Sequence, residues 1–380
     1  MNSRSSRLVV AAGAFAIVWA ASIAGPDRTK AQTAPAKGQT AGEVFKNVTT
    51  ASLKGLAVDD FLAAMGVISD DLSMNCGECH PGAGTNKADW VIDPPRKQMA
   101  RKMIDMLAAI NKNYFAGAQA VTCFSCHHGR PSPATTIALD KLYGPPDDEQ
   151  DDIVTPASQG PTADQILDKY IAALGGTQKL ATLKSFVATG TSVGYGDFSG
   201  MFHIYAQAPD HRTVRIEFKD YPERGDNIWA FNGKTGWVKS SRGLLKDYDL
   251  TGSELNGQKL DAELAFPGQI KQVLTGLRAG VGDVINEHPV DVVQGTGPGG
   301  ELATLYFDRN SGLLVRMVRY GRSPVGRLPV QYDYEDYRDV NGIKFPFKYT
   351  FSWLDGRQAF EVSQVEVNVP IQSAVFDKPA

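Results

Sequence analysis

Cys76-Gly-Glu-Cys79-His80 and Cys123-Phe-Ser-Cys126-His127 repeat one pattern, and together they contain all four cysteines of the chain. In c-type haem attachment, two thiols separated by two residues bond the porphyrin vinyl groups, and the adjoining histidine binds the iron from one face. A disulfide switch or a zinc site also uses paired cysteines. Neither requires a histidine directly after both pairs, and the gap between these pairs exceeds the usual zinc-ribbon spacing. The pattern therefore predicts two haems c per chain, covalently attached. Their predicted tethers and axial histidines are Cys76, Cys79, Cys123, Cys126, His80 and His127.

The N-terminus has the features of an export signal. Arg4 and Arg7 precede an almost unbroken apolar run over residues 8–24, followed by Gly25 and Pro26. This order predicts a signal peptide over residues 1–31, with cleavage after residue 24 or 31. The run is also near the lower length limit of a membrane-spanning helix, so an uncleaved inner-membrane anchor is the alternative. Either case predicts a periplasmic protein, which agrees with haem c attachment outside the bacterial cytoplasm.

Composition, prolines and charge runs divide the rest of the chain into segments. A net charge of −3 over 380 residues gives no indication of a nucleic-acid partner. Two segments are typical of linkers: residues 32–42, rich in Ala, Thr and Pro, and residues 144–161, which carry Pro145, Pro146 and an acidic run over residues 147–152. They leave a predicted haem domain over residues 43–143 and a C-terminal domain over residues 162–380.

Methionines on predicted helices are candidates for the sixth iron ligand. Val58, Phe61 and Met65 share a helical face, and Met65 lies eleven residues before Cys76. A helix and a turn would fold Met65 over the porphyrin opposite the first histidine; the alternative is a core methionine. A second helix is predicted after Pro94-Pro95. Its methionines 99, 103 and 106 share a face, and spacing alone does not choose among them.

These residues carry a resemblance. Met65 with the first motif, the run Arg101-Lys-Met103-Ile-Asp-Met106, and Val121-Thr-Cys123 through Gly129 resemble half of the tetrahaem cytochrome subunit of photosynthetic reaction centres. The similarity covers about residues 44–133. It implies electron transfer, with Met65 as ligand of the first haem and Met106 as ligand of the second, and Met103 as the alternative to Met106. The chain departs from the family in having two of four haem units, and in having His128 where the family usually has arginine. One family haem also takes a histidine from elsewhere in the longer chain.

The C-terminal segment is predicted to be one helix followed by a sheet. Thr162-Ala-Asp-Gln165 is a capping box, and Gly175-Gly176 ends the helix. Asn232-Gly233, Asn341-Gly342 and similar turns separate ten β-rich runs, which predict a large antiparallel sheet curled into an open barrel. A further helix is expected over residues 267–277. The ten runs are residues 185–192, 200–207, 212–218, 227–231, 235–239, 302–307, 313–320, 329–337, 344–353 and 359–369.

This order of strands also carries a resemblance. Phe231-Asn-Gly233-Lys-Thr-Gly236-Trp237, Tyr306-Phe-Asp308 with Gly312-Leu313, and Gly342-x-x-x-Pro346 resemble the half-barrel of bacterial outer-membrane lipoprotein carriers. The similarity covers about residues 162–379. It implies a curved sheet, closed by helices, around an apolar cavity for acyl chains. A lipid or a quinone is thus a candidate ligand of the domain.

The predicted fold class is multi-domain α+β: a mainly α dihaem cytochrome c domain followed by an antiparallel β half-barrel with a few helices. The predicted function is single-electron transfer between a donor and an acceptor redox protein, with no enzyme activity. The alternative is a lipid- or quinone-binding carrier or sensor whose haem module is accessory. An open iron site would favour sensing or catalysis over transfer. Histidines 203, 211 and 288 are isolated in the sequence and indicate no catalytic site.

Overall fold

A computed structural model describes residues 38–83, 85, 87–136, 152–194, 198–218, 225–240, 245–354 and 356–379. The predicted signal segment, residues 32–37 of the first linker and residues 144–151 of the second lie outside the described residues. Within the described ranges, no helix combines the length and the hydropathy needed to cross a membrane.

Two long helices organise the haem segment. The described residues up to 136 form six helices. Two are long, Val58–Asp71 (α3) and Pro95–Tyr114 (α5), and the other four span a single turn. The predicted mainly α character therefore holds only in part, because loops and single turns join the two long helices. Pro95 opens α5 as predicted, since the first helical position needs no backbone N–H partner. The six helices are Ala41–Val44 (α1), Ala51–Lys54 (α2), Val58–Asp71 (α3), Cys76–Cys79 (α4), Pro95–Tyr114 (α5) and Phe124–His127 (α6).

The haem segment shares its core with the β-rich part of the chain. Ala64 and Val67 of α3 pack with Ile104 and Leu107 of α5, at the spacing that places residues on one helical face. Val325 and Leu328 belong to the same buried cluster. Leu328 belongs to a strand of the sheet and Val325 to the loop just before that strand, so the predicted domains meet through apolar contacts as well as through the chain.

The predicted antiparallel sheet is confirmed, and it is an open sheet of thirteen strands. Strands that lie side by side in the sheet are consecutive in the sequence except at one place, where the first strand pairs with the last. The strands are Ser185–Gly194 (β1), Ser199–Gln207 (β2), His211–Glu217 (β3), Asn227–Asn232 (β4), Gly236–Lys239 (β5), Asp247–Leu250 (β6), Thr275–Ile285 (β7), His288–Thr296 (β8), Leu302–Asp308 (β9), Leu314–Arg322 (β10), Arg327–Val340 (β11), Ile343–Trp353 (β12) and Gly356–Val367 (β13).

Helices cover one face of this sheet. They are Ala163–Leu174 (α7), Thr177–Leu180 (α8), Gly252–Leu264 (α9) and Ile270–Val273 (α10), with 3-10 turns at Pro267–Gln269, Pro298–Gly300 and Ser373–Val375. The capping box of α7 is confirmed, because Thr162 Oγ1 accepts from Gln165 N at 3.2 Å. Strands β6 and β7 lie at opposite edges, so the connection through α9 and α10 crosses the sheet. Leu260 and Ile270 of that connection join the main core.

The expected helix over residues 267–277 is wrong in its second half. Helix α10 ends at Val273, and Thr275 already pairs with Thr296 as the start of β7. Leu274 has the extended backbone of a strand, with ψ 129. Pairing with β8 satisfies the backbone groups that a longer helix would otherwise bond internally.

The end of the second predicted linker lies along the sheet edge. Ala157 N donates to Ala279 O at 3.0 Å, and Val281 N donates to Thr155 O at 2.9 Å. The Asp152 carboxylate also lies 2.9 Å from Nε of Arg327. Residues 152–157 thus add hydrogen bonds to β7, the edge strand that would otherwise present unpaired groups.

Candidate functional site

Both Cys-x-x-Cys-His motifs form one helical turn with the same internal bond. His80 N donates to Cys76 O at 2.8 Å, and His127 N donates to Cys123 O at 3.0 Å. Residues three apart on such a turn face the same side. One cysteine is exposed and the other is partly buried in each motif. Each motif therefore presents two thiols on one side of a turn that ends at a histidine.

The second histidine has a defined tautomer. Nδ1 of His127 lies 2.9 Å from the carbonyl oxygen of Arg130. A carbonyl only accepts, so Nδ1 carries the proton and Nε2 keeps its lone pair. A hydrogen bond of this kind orients an imidazole for metal binding. His128, its neighbour, is exposed, and its ring lies 5.4 Å from that of Phe124.

The first histidine lies in a more apolar place. The ring of His80 is 5.1 Å from that of Trp90, and its buried Nδ1 has no hydrogen-bond partner among the described residues. Burial lowers the pKa of His80, and the nearby charge of Lys97 lowers it further. The imidazole is therefore neutral near pH 7, the form that binds iron.

Local contacts hold the first motif. Asn75 Oδ1 accepts from Gly77 N at 3.0 Å, and Glu78 completes a capping box with Asn75. The same Glu78 carboxylate pairs with Arg96 at 2.7 Å, which ties the motif to the start of α5. Lys97 donates to the carbonyl oxygen of Trp90 at 2.8 Å. These basic side chains of α5 thus have protein partners within or near the first motif.

Distant residues hold the second motif. Asp71, at the end of α3, accepts from Phe124 N at 2.9 Å through its carboxylate and from Gly129 N at 3.1 Å through its backbone oxygen. Cys123 N donates to Val325 O, in the loop between β10 and β11, at 3.0 Å. Burial raises the pKa of Cys123 to about 12, with Asp71 and Cys126 adding to the effect. The second motif therefore rests against both α3 and the sheet.

The candidate methionine ligands differ in exposure. Met65 is partly buried and packs against the core shared with the sheet. On α5 the buried side carries Ile104 and Leu107, so Met106 is 46% exposed and Met99 is 53% exposed. Met103 is intermediate. The predicted methionine face of α5 is thus a largely exposed stripe rather than the packed side of the helix.

Other large apolar side chains around the motifs are exposed as well. Trp90, Val91 and Ile92 follow the first motif, and Phe124 lies inside the second. Contiguous exposed apolar residues usually mark a surface that another group covers. Accessible thiols, available imidazoles and this apolar surface fit a covalently held porphyrin at each motif.

A second candidate site lies on the sheet, where the resemblance to lipoprotein carriers implied an apolar cavity; sequence reasoning missed the charged groups at this site. A cavity of about 160 Å³ lies between the sheet and the helices α7, α9 and α10. Its walls are mostly apolar, and Phe186, Ile204 and Leu305 are among them. Arg212, Asp261 and the exposed Lys344 bring charge to this mostly apolar space.

A buried ion pair stands beside the cavity. The Arg319 guanidinium bonds Asp261 through two contacts of 3.1 and 3.2 Å, and Tyr332 Oη donates to the same carboxylate at 2.7 Å. Both side chains of the pair are 3% exposed or less. For Arg212, which also lines the cavity, strand periodicity contains a signal. Arg212 lies at alternate positions of β3 with the buried Val214 and Ile216, so it belongs to the inward face, where an apolar residue is expected.

The haem segment matches a known family. Residues 18–164 match the family "Photosynthetic reaction centre cytochrome C subunit". The photosynthetic reaction center cytochrome c subunit of Thermochromatium tepidum is 33% identical over 106 residues, which are 26% of this chain and 24% of that protein. Its counterpart from Rubrivivax gelatinosus is 32% identical over 100 residues, 25% of each chain. The predicted resemblance is confirmed, and the chain spans about a quarter of the length of these relatives.

Solved structures resemble the remainder of the chain. A LolA superfamily protein from Nitrosomonas europaea has 16% identity and a TM-score of 0.40, covering 58% of this chain and 99% of that one. A putative outer membrane lipoprotein-sorting protein domain from Vibrio parahaemolyticus has 10% identity and a TM-score of 0.37, covering 56% and 97%.

Proposed function

We propose that the segment of residues 43–143 holds two covalent haems c and that the protein transfers single electrons between redox proteins in the periplasm. The observation that carries this proposal is the repeated turn, in which both motifs place two thiols on one side and end with the same histidine bond. Bound haem supplies a one-electron iron couple whose potential the protein tunes. The four cysteines would tether the porphyrins, and His80 and His127 would bind the irons.

The surroundings of the histidines support these roles. The carbonyl of Arg130 orients the ring of His127, so the lone pair of Nε2 has a fixed direction. Burial beside Trp90 keeps His80 neutral, so no proton has to leave before iron is bound. The two sites differ in polarity, and we expect two distinct potentials.

Met65 and Met106 are the proposed sixth ligands, with Met103 as the alternative to Met106. A thioether ligand raises the reduction potential of a haem. Partial burial of Met65 limits its motion, whereas a porphyrin against α5 would cover Met106 and reduce its exposure. Both assignments favour six-coordinate irons and electron transfer over catalysis at an open site.

The proposed partners are a donor and an acceptor redox protein. The matched relatives are reaction centre cytochrome c subunits, so a reaction centre is one candidate acceptor among periplasmic redox proteins. Residues 1–31 would direct export and, if uncleaved, would anchor the protein to the inner membrane.

A haem count tests the proposal. The full chain is produced in a host with haem c maturation machinery and examined by pyridine haemochrome assay, intact-mass measurement and redox titration. We expect two haems per chain and two one-electron potentials. The control is a double Cys76→Ala and Cys79→Ala variant, which should retain one haem. A mature mass equal to that of the amino acids alone would overturn the proposal.

The cavity of the sheet favours a second candidate function, a carrier or sensor of an apolar ligand. Its apolar walls and enclosed position are typical of ligand sites, although such sites usually exceed about 300 Å³. Organic extraction of the purified protein followed by mass spectrometry tests this function. A stoichiometric lipid or quinone would support it, and a solvent blank would count against it.

A further inference from the structure

We propose that the cavity of the sheet binds a small apolar monocarboxylate, with the carboxylate held by Arg212, Tyr349 and Gln358 and the apolar part in the larger space. This site does not involve the haem motifs. It is therefore independent of the proposed electron transfer.

Two cations line the cavity, the exposed Lys344 and the half-buried Arg212, and Arg212 has no carboxylate of its own in the described part of the chain. Asp261 already receives two bonds from Arg319 and one from Tyr332, so its negative charge is matched by Arg319. Arg212 also lines the cavity, yet no hydrogen bond or ion pair joins its guanidinium to another described residue. Arg212 is half-buried, and an anionic ligand would supply the charge partner that the guanidinium lacks among the described residues.

Arg212 remains charged in this place. Burial acts to lower the pKa of Arg212, but the nearby Tyr332, Asp261, Tyr349 and Tyr334 outweigh it and raise the pKa. The group is therefore a permanent cation facing an apolar space. A guanidinium bonds a carboxylate through two parallel contacts, which gives a strong and directional interaction.

Two further donors lie at the same place without partners. The hydroxyl of Tyr349 and the amide nitrogen of Gln358 are buried and make no hydrogen bond with any described residue. Both line a small adjoining cavity of about 20 Å³, together with Arg212. Arg212 and Tyr349 line the larger cavity too, so they stand at the junction of the two spaces. Unsatisfied buried donors are uncommon in folded proteins, and these two, beside the guanidinium of Arg212, match the acceptor oxygens of one carboxylate.

The size of the larger space selects the apolar part of the ligand. At about 160 Å³ it is comparable to a cavity of roughly 150 Å³ that takes up benzene. Leu183, Phe186 and Met317 supply apolar contacts. One aromatic ring or a short alkyl chain fits, whereas a long acyl chain would require the helices to move apart. Benzoate is therefore a suitable probe, and palmitate represents the larger alternative.

Calorimetric titration of the haem-loaded full chain with benzoate tests the site. The matched neutral probe is benzamide, which has the same ring without the charge. We expect benzamide to bind at least about tenfold more weakly, because hydrogen bonds to a charged group are worth more than neutral ones. The visible spectrum should not change on titration, which would show that benzoate does not bind iron.

Single variants assign the residues. Arg212→Gln should weaken benzoate binding about tenfold or more and leave benzamide binding unchanged. Tyr349→Phe should weaken benzoate binding by a smaller factor. The control is Arg215→Gln on the same strand, where the exposed side chain pairs with Asp226 at 2.5 Å. This control should bind benzoate as the unmodified chain does.

Thermal unfolding supplies a readout that a structural arginine would not give. Arg212→Met replaces an unpaired, half-buried cation with an apolar side chain, so the ligand-free variant should melt at a higher temperature, and benzoate should no longer raise that temperature. A lower melting temperature for Arg212→Met would mean that Arg212 has a structural role. The proposal would also be overturned by absent benzoate binding, by equal affinity for benzoate and benzamide, or by tighter binding of palmitate that does not depend on Arg212.

Discussion

The first Cys-x-x-Cys-His turn is held by its own neighbours, whereas the second is held by residues far away in the chain. Asn75 and Glu78 cap the first turn within three residues of each other. Asp71 and Val325, which hold the second, lie 53 residues before Phe124 and some two hundred residues after Cys123. The same chemical motif is thus built once on local and once on long-range contacts.

This difference determines what each proposed haem depends on. The first motif needs only its capping box and the start of α5. The second needs the end of α3 and the loop between β10 and β11, so the sheet helps to position it. We expect damage to the sheet to disturb the second haem and to leave the first largely intact.

The largest expected effect, on haem attachment and on the free energy of unfolding, comes from replacing one cysteine of each motif, the exposed Cys76 or the partly buried Cys123. Cys76→Ser and Cys123→Ser each remove one thioether and weaken the tether of one haem. Cys76 is exposed, but Cys123 packs against the shared core, so its hydroxyl replacement should cost about 1–3 kcal/mol more in the free energy of unfolding. Urea unfolding of the two variants measures the difference. Equal midpoints would mean that the second motif does not rest on the core.

The next comparison is between the two proposed methionine ligands. Met65→Ala should open the sixth position of the first haem and lower its potential by about 0.1 V or more, within the ~0.8 V range set by axial ligands. Met106→Ala should do the same to the second haem. Because Met65 contacts the core and Met106 is 46% exposed, only Met65→Ala should also destabilise the fold, by about 1–3 kcal/mol. An unchanged spectrum and potential in Met65→Ala would leave Met65 as a core residue.

Short sequence motifs predicted the elements that contacts between neighbouring residues determine. The Pro94-Pro95 pair marked the start of α5, and Asn341-Gly342 marked a hairpin at which both residues have positive φ, 54° and 82°. Three strands escaped prediction, β6, β7 and β8. The turn between β7 and β8, at Asn286-Glu287, has positive φ but no glycine. The motif residues themselves were evident because the chemistry fixes their spacing.

Contacts between distant residues were not predictable in the same way. The bond from Phe124 N to Asp71 depends on how α3 and the second motif meet in space, and neither residue type indicates it. The pair of Arg319 and Asp261 likewise joins a strand to a helix that sequence reasoning did not identify. The sequence signal for polar groups at the cavity was Arg212, which occupies a position of β3 on the inward face of the strand.

Asp71 gives the second motif a pH dependence of its own. Burial raises the pKa of Asp71 to about 7, the bond from Phe124 N opposes the rise, and Asp70 adds to it. A carboxyl whose pKa is raised by folding stabilises the protein below its unfolded pKa of about 4 and loses that contribution as pH rises through about 7. The free energy of unfolding should therefore fall by about 1–2 kcal/mol between pH 4 and pH 7. This is less than the free energy equivalent to the whole pKa shift, because solvent screens the charge.

The variant Asp71→Asn isolates this contribution. Its amide oxygen still accepts from Phe124 N, but the side chain does not titrate. Asp60 and Glu254 also have raised pKa values, about 6 and about 7, so the unmodified chain and the variant share their background slope. Urea unfolding at several pH values should give a flatter profile for Asp71→Asn. Identical slopes would show that Asp71 does not titrate in this range.

The smallest expected effect is at the cap of the first motif. Asn75→Ala removes the acceptor for Gly77 N, and the loss of such a cap costs about 0.5–2 kcal/mol. The second turn begins at Cys123, which makes no side-chain cap, so it should not respond. Hydrogen exchange should therefore become faster at Gly77 and remain unchanged at Phe124. Faster exchange at both amides would mean that the two turns are coupled through α3 and α5, which would contradict the separation of local and long-range support.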